Sequence, residues 1–333
     1  MTNFTMGRHG HTRRAILLAL GTAAATLGMP ALAQGSTSTP LRIILPVGTG
    51  SSVDLIMRSA QPALSKALGG QPVVIENMPS AGGVVGTNAI VKAVADGNTI
   101  GVVSNNHAVN PSVFKKLPYD SLADITPITV IGGSPFVLVA SPKVSAKNAK
   151  ELQALIKAKP GEMNLASSGN GTIIQLAGEM FVHEVGGDTR HIPYKGMGPM
   201  ITALMAGQVE IGAAGVASVI GQIKAGSLRP IGIMGKERIS SFPEIPTIAE
   251  QGFPGVDVAG WFAAVAPKGL PAAQVKKLQA AFVAAFNDPE VKAGFAKRDD
   301  FLILSSPADS AKFLKAEQER YAGLVKKANV TLE

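Results

Sequence analysis

Cysteine is missing altogether from the 333 residues. That excludes a disulfide framework, a lipid-attachment thiol, thiolate metal sites and cysteine nucleophiles, and it is compatible with an oxidising compartment. Side chains that stack on bases are scarce, with one tryptophan and three tyrosines. Lys and Arg are scattered rather than gathered into a stripe, so nucleic acid is not an expected partner. Only three histidines follow residue 33, His107, His183 and His191, and none belongs to a close ligand pair. There is no H-E-x-x-H, Walker loop or G-x-S-x-G elbow, so neither metal nor cofactor is expected. A Ser-His-Asp site would have to be assembled from distant parts of the chain. No uninterrupted apolar run reaches the roughly 20 residues that cross a bilayer.

What is present begins with Arg8, Arg13 and Arg14, an apolar stretch from Ala15 to Leu27, and the small-residue triplet Ala31-Leu32-Ala33. This order predicts a secretory signal peptide over residues 1–33, cleaved near Ala33/Gln34, and hence a soluble exported chain. Thr12-Arg13-Arg14-Ala15-Ile16-Leu17 fits a twin-arginine signal, which exports folded protein, or an ordinary signal with two arginines. The leader holds three arginines and no acid, so removing it takes the formal charge from +8 to +5. Such an excess suits an anionic small ligand, or serves solubility alone.

Short β-branched runs alternate with stretches of helical period, which predicts an α/β chain of mainly parallel sheets flanked by helices. Strands are expected at Leu41 to Leu45, Val73 to Ile75, Ile100 to Val103, Phe136 to Ala140, Met163 to Ala166 and Val209 to Ala213, and at Trp261 to Ala266. A turn-rich stretch is expected from Asn110 to Pro127. Helices close the chain over Ala272 to Phe286, Pro289 to Lys297 and Pro307 to Lys327. The pattern implies two lobes, residues 34–134 with 263–333 and residues 135–262, joined by two crossing strands. A ligand cleft is expected between them.

Two strand-to-helix turns carry the expected site. Gly48, Thr49, Gly50, Ser51 and Ser52 offer free backbone N–H groups, hydroxyls and close backbone approach at a helix N-terminus, a setting that binds anions; Ser51 or Ser52 alone could serve only as a helix cap. A dinucleotide fingerprint fails because its third glycine would fall at Val53. Ser167, Ser168, Gly169, Asn170, Gly171 and Thr172 form the second turn, which faces the first if the lobes close. Lys195 could pair with a second carboxylate or stay solvated. His107, after Asn105 and Asn106, either contacts ligand or is a satisfied structural histidine.

These segments resemble the Bug family of periplasmic receptors, the substrate-binding subunits of tripartite tricarboxylate transporters. The resemblance runs through Ile44-Leu45-Pro46 and its Gly/Ser turn to Asp54, Glu76-Asn77-Met78-Pro79, Ala81-Gly82-Gly83, His107-Ala108-Val109-Asn110-Pro111, the Ser167–Thr172 turn and Pro193-Tyr194-Lys195-Gly196. It implies a two-lobed Venus-flytrap fold that binds a small organic carboxylate, either a di- or tricarboxylate or an aromatic acid, and catalyses nothing. It also implies membrane transporter subunits as partners, and the hinge favours a monomer. Contacts carried over are Thr49, Ser51, Ser52, Ser168, Gly171 and Thr172, with His107. Ser51 stands where the family usually has glycine, Asn98 where it has tyrosine, and Ala214-Gly215 where an acidic-amide pair is common. Without that acid, a ligand lacking an amino group is expected. The rival readings are a ligand-loaded sensor acting on a membrane signalling partner, and an exported serine hydrolase.

Overall fold

The computed structural model describes residues 1–2 and 39–328; the expected arginine pair and cleavage site of the leader lie outside the described residues. The chain runs β1 (Leu41–Leu45), α1 (Ser52–Ala67), β2 (Val73–Asn77), α2 (Val84–Val91), β3 (Thr99–Ser104), α3 (Asn106–Val113) and β4 (Ile125–Ala140). It continues with α4 (Ala149–Ala158), β5 (Asn164–Ser167), α5 (Ile173–Glu184), β6 (Arg190–Pro193), α6 (Met197–Ala206), β7 (Ile211–Gly215), α7 (Val216–Lys224) and β8 (Arg229–Ile233). After β9 (Ala259–Pro267) come α8 (Ala272–Phe286), α9 (Pro289–Ala296), β10 (Phe301–Leu302) and α10 (Pro307–Ala328). Among the described residues no helix is long and apolar enough to cross a membrane.

The strands join in the order β2-β1-β3-β9-β4-β7-β5-β6, with β8 and β10 also paired to β4. Pairings β1–β2, β1–β3, β5–β6 and β5–β7 are parallel, as helical crossovers require. β4 and β9 run antiparallel from Ile125 opposite Pro267 to Pro135 opposite Ala259. The second half of β4 then pairs with β7 and β8. These two long strands therefore tie the two parallel groups together. Helices pack on apolar stripes: Val53, Ile56, Met57, Ala60 and Leu64 of α1 recur at three- and four-residue spacing and share a buried cluster with Ile43 and Leu45. Each of the larger of these side chains, fully buried, stabilises by about 1.5–3 kcal/mol.

Several elements differ from the sequence expectation, the short β10 among them. The strand expected from Phe136 begins at Ile125, because the β-branched run Ile125–Ile131 outweighs Pro127, which sits at a register shift where a ladder donor is not needed. Residues 106–113, expected to lead into a turn-rich stretch, form α3 although Pro111 lies within it. β8 was not expected, since Pro230 reads as a breaker; it is placed off the main strand path, pairing with β4 across a bulge at Leu138/Val139.

Candidate functional site

The first turn leaves β1 at Leu45 and enters α1. Ser51 caps that helix, its Oγ accepting from the Asp54 amide at 3.4 Å. Asp54, only 3% exposed, folds back so that its carboxylate accepts from the Gly50 amide at 3.0 Å and from Arg58 Nε at 2.8 Å. Gly50 holds φ +78°, which favours glycine. Its N–H is thus engaged within the turn. The amides of Ser52 and Val53, first in the helix, have no acceptor among the described residues.

The second turn leaves β5 and enters α5. Thr172 caps this helix: its Oγ1 donates to the Gly169 carbonyl at 2.8 Å and accepts from the Gln175 amide at 3.3 Å. The Gly171 amide donates to Gln175 Oε1 at 2.8 Å, and Ser168 Oγ lies 3.3 Å from Thr172 Oγ1. Beneath the turn, the fully buried Ser167 pairs its Oγ with His191 Nε2 at 2.6 Å, and burial holds that imidazole below its ordinary pKa. The Ser167 and Ser168 carbonyls accept from the Tyr194 and Gly196 amides at 2.9 and 3.1 Å, which fixes the Pro193–Gly196 segment beside the turn.

The two turns share one space. Asn106 Oδ1, at the start of α3, accepts from the Ile173 amide of α5 at 2.7 Å. A Cβ added at Gly48 would stand 3.5 Å from the Gly196 Cα, and one added at Gly215 would collide with Ser52 Oγ. Between them lies a cavity of about 570 Å³. Of the residues expected from sequence, Gly48, Ser51, Ser52, Ser168, Gly169 and Thr172 line it. Thr49, Gly50, Ser167 and Gly171 are not part of that lining: Ser167 and Gly171 are buried, Gly50 is half-buried and Thr49 is exposed. His107 is also off the wall: α3 turns it inward, 2% exposed, with Nε2 2.6 Å from the Ser121 carbonyl and its ring stacked on Tyr119. Burial pushes its pKa down to about 4.

Sequence reasoning missed the floor of the cavity. Ser134, Phe136, Gly215, Gly260, Trp261 and Phe262 reach it from β4, β7 and β9. Apolar strand residues signal a core, and only the crossing of β4 and β9 turns some of them toward a cavity. Ala81-Gly82-Gly83 contributes differently: Gly83, at φ +72°, packs so tightly on Pro46 that a Cβ would strike its carbonyl. No group of three or more histidine or acidic side chains that could hold a metal occurs among the described residues.

Comparison with known proteins bears on the family and the fold. The family model described as the tripartite tricarboxylate transporter family receptor matches residues 56–330. Protein BugT of Bordetella pertussis is 33% identical over 324 residues, 97% of this chain and 99% of that protein. The structure of periplasmic binding protein BugD superposes with a TM-score of 0.85 at 28% identity, covering 88% of this chain and 99% of that one. MatC from Rhodopseudomonas palustris with bound malate gives 0.82 at 26% identity, covering 86% and 98%. A second R. palustris protein, with adipate, gives 0.84 at 27% identity, covering 88% and 98%.

Proposed function

Because the chain belongs to the tripartite tricarboxylate transporter receptor family, we propose that it captures a small organic carboxylate in this cavity for a membrane transporter of that type. One observation carries the proposal: two helix N-termini, α1 behind Ser51–Ser52 and α5 behind Thr172, border one cavity whose lining includes no acidic side chain. Each N-terminus favours an anion by about 0.3–1 kcal/mol, and each hydrogen bond to a charged acceptor adds about 1.5–3. A handful of such bonds, less ordering costs, reaches the roughly 8 kcal/mol of a micromolar complex. The malate and adipate held by the two relatives fit this chemistry. With no acid on the wall to pair an ammonium, the ligand lacks an amino group.

In this reading the lobes are residues 34–134 with 263–333 and residues 135–262, hinged on β4 and β9, and Gly48, Ser51, Ser52, Ser168, Gly169 and Thr172 meet the carboxylate. The receptor acts in the periplasm as a monomer, exported on its leader by the twin-arginine or the ordinary secretory route. Ser167 and His191, at 2.6 Å, resemble a nucleophile and its base. The serine is wholly buried beneath the turn and off the cavity wall, so the pair positions the turn and the protein binds without catalysis.

Calorimetric titration of wild type and Ser168→Ala with malate, adipate and an aromatic acid tests the site. The substitution is expected to weaken binding by about 1–3 kcal/mol, one charge-assisted hydrogen bond. An unchanged affinity would remove Ser168 from the site.

A further inference from the structure

The lining of the cavity narrows the ligand further, on the premise that the receptor reading above holds. Most of its free donors lie on the turns; the Asn106 side-chain amide and the Ser104 and Ser134 hydroxyls are neutral donors elsewhere on the wall. The floor is different. Asn105 there is fully committed: Nδ2 donates to the Ala259 carbonyl at 3.0 Å and to Tyr321 Oη at 2.5 Å, while Oδ1 accepts from the Trp261 amide at 2.8 Å. Trp261 gives its single side-chain donor to Glu317 Oε2 at 2.7 Å, so what it can present to a ligand is apolar ring. Phe136 adds a second aromatic group, whereas the ring of Phe262, its neighbour on the strand, turns to the other face of β9. Behind Ser134 stands the buried Asp300, whose cation Arg298 is already bound to it at 2.8 Å. Among the described residues lining the cavity Lys195 is the one charged side chain, and it is exposed on the rim.

A second carboxylate driven onto this floor would lose its water against the rings of Phe136 and Trp261 and a few neutral donors, with no cation to replace the lost solvation. An aromatic ring in the same place gains burial and edge or offset stacking. The volume, about 570 Å³, exceeds what a four-carbon diacid fills and lies within the span of about 300–1,000 Å³ typical of sites for larger ligands.

We infer that the ligand is a monocarboxylate on an aromatic body, its carboxylate between Ser52 and Ser168 and its ring against Phe136 and Trp261. Titration of the purified protein with benzoate, 4-hydroxybenzoate and phenylacetate, beside succinate, malate, adipate and citrate, tests this. The best aromatic monoacid is expected to bind at least about tenfold more tightly than any of the four polyacids. Trp261 is the sole tryptophan, so that acid should also change the intrinsic emission. Phe136→Leu should cut the selectivity by about threefold or more. A polyacid that binds as tightly or more tightly overturns the inference and leaves the receptor reading standing, as does an aromatic acid that binds without altering Trp261 emission. Failure of all seven acids to bind overturns both.

Discussion

At the scale of single residues, two sites show how burial sets properties that composition does not. Gly215 faces Ser52, and a Cβ there would overlap Ser52 Oγ while standing 3.5 Å from Ser52 Cβ, an ordinary contact. Gly215→Ala is therefore expected to destabilise by about 1–3 kcal/mol through overpacking, and Ser52→Ala in the same chain should restore most of that loss. Urea unfolding of the single and double variants measures it; additive losses would contradict the packing. The second case is two separate buried titrating groups. Burial raises the Asp300 carboxyl to about 6 against the pull of Arg298, and lowers His107 to about 4. The native chain keeps a proton on Asp300 that the unfolded chain gives up above its ordinary value of 3.8. That stabilisation is full at low pH and is lost as pH rises through about 6. His107 acts oppositely, because the unfolded chain takes up a proton below 6.5 that the native site refuses until about pH 4. From pH 4 to 6 the two slopes oppose. Asp300→Asn removes one of them, so relative to wild type it should lose about 1.4 kcal/mol per pH unit between about pH 6 and 4. Urea midpoints at pH 6, 5 and 4 check this, and a constant difference would contradict it.

At the scale of elements, the turns were readable and their donors were not. Glycine and hydroxyl residues between a β-branched run and a helical period mark Gly48–Ser52 and Ser167–Thr172 as strand-to-helix turns of the kind suited to an anion. Which amides stay free depends on side chains four residues further on: Asp54 takes Gly50 and Gln175 takes Gly171. Polar capping residues read the same way whether they cap, close a turn or face a ligand. His107 was misleading for a related reason, since Asn and Pro obscured the helix that turns it inward. Asn106, its neighbour, bridges from α3 to the first amide of α5 at 2.7 Å. In the proposed two-lobe reading, that bond joins the lobes in a closed arrangement. Asn106→Ala should weaken it by about 1 kcal/mol, seen as roughly fivefold faster ligand release. Stopped-flow Trp261 fluorescence reads the rate, and unchanged release would remove Asn106 from closure.

At the scale of the whole molecule, alternation of strand and helix gave the α/β class, while the long antiparallel β4–β9 ladder came from residues that each read as ordinary core. This ladder is also held from outside. The buried Tyr321 of α10 bonds Asn105, Glu317 of the same helix bonds Trp261, and Arg320 donates to the Asp257 carbonyl at 2.8 Å. The cavity floor is thus braced from behind by α10. The central claim is that the two strand-to-helix turns together clasp one carboxylate, and a crystal structure of the protein with its tightest-binding acid tests it most directly. The account predicts carboxylate oxygens within about 3.2 Å of Ser168 Oγ and of the Ser52 or Val53 amide. A ligand bound elsewhere, or a carboxylate held by one turn with the other facing solvent, would contradict it.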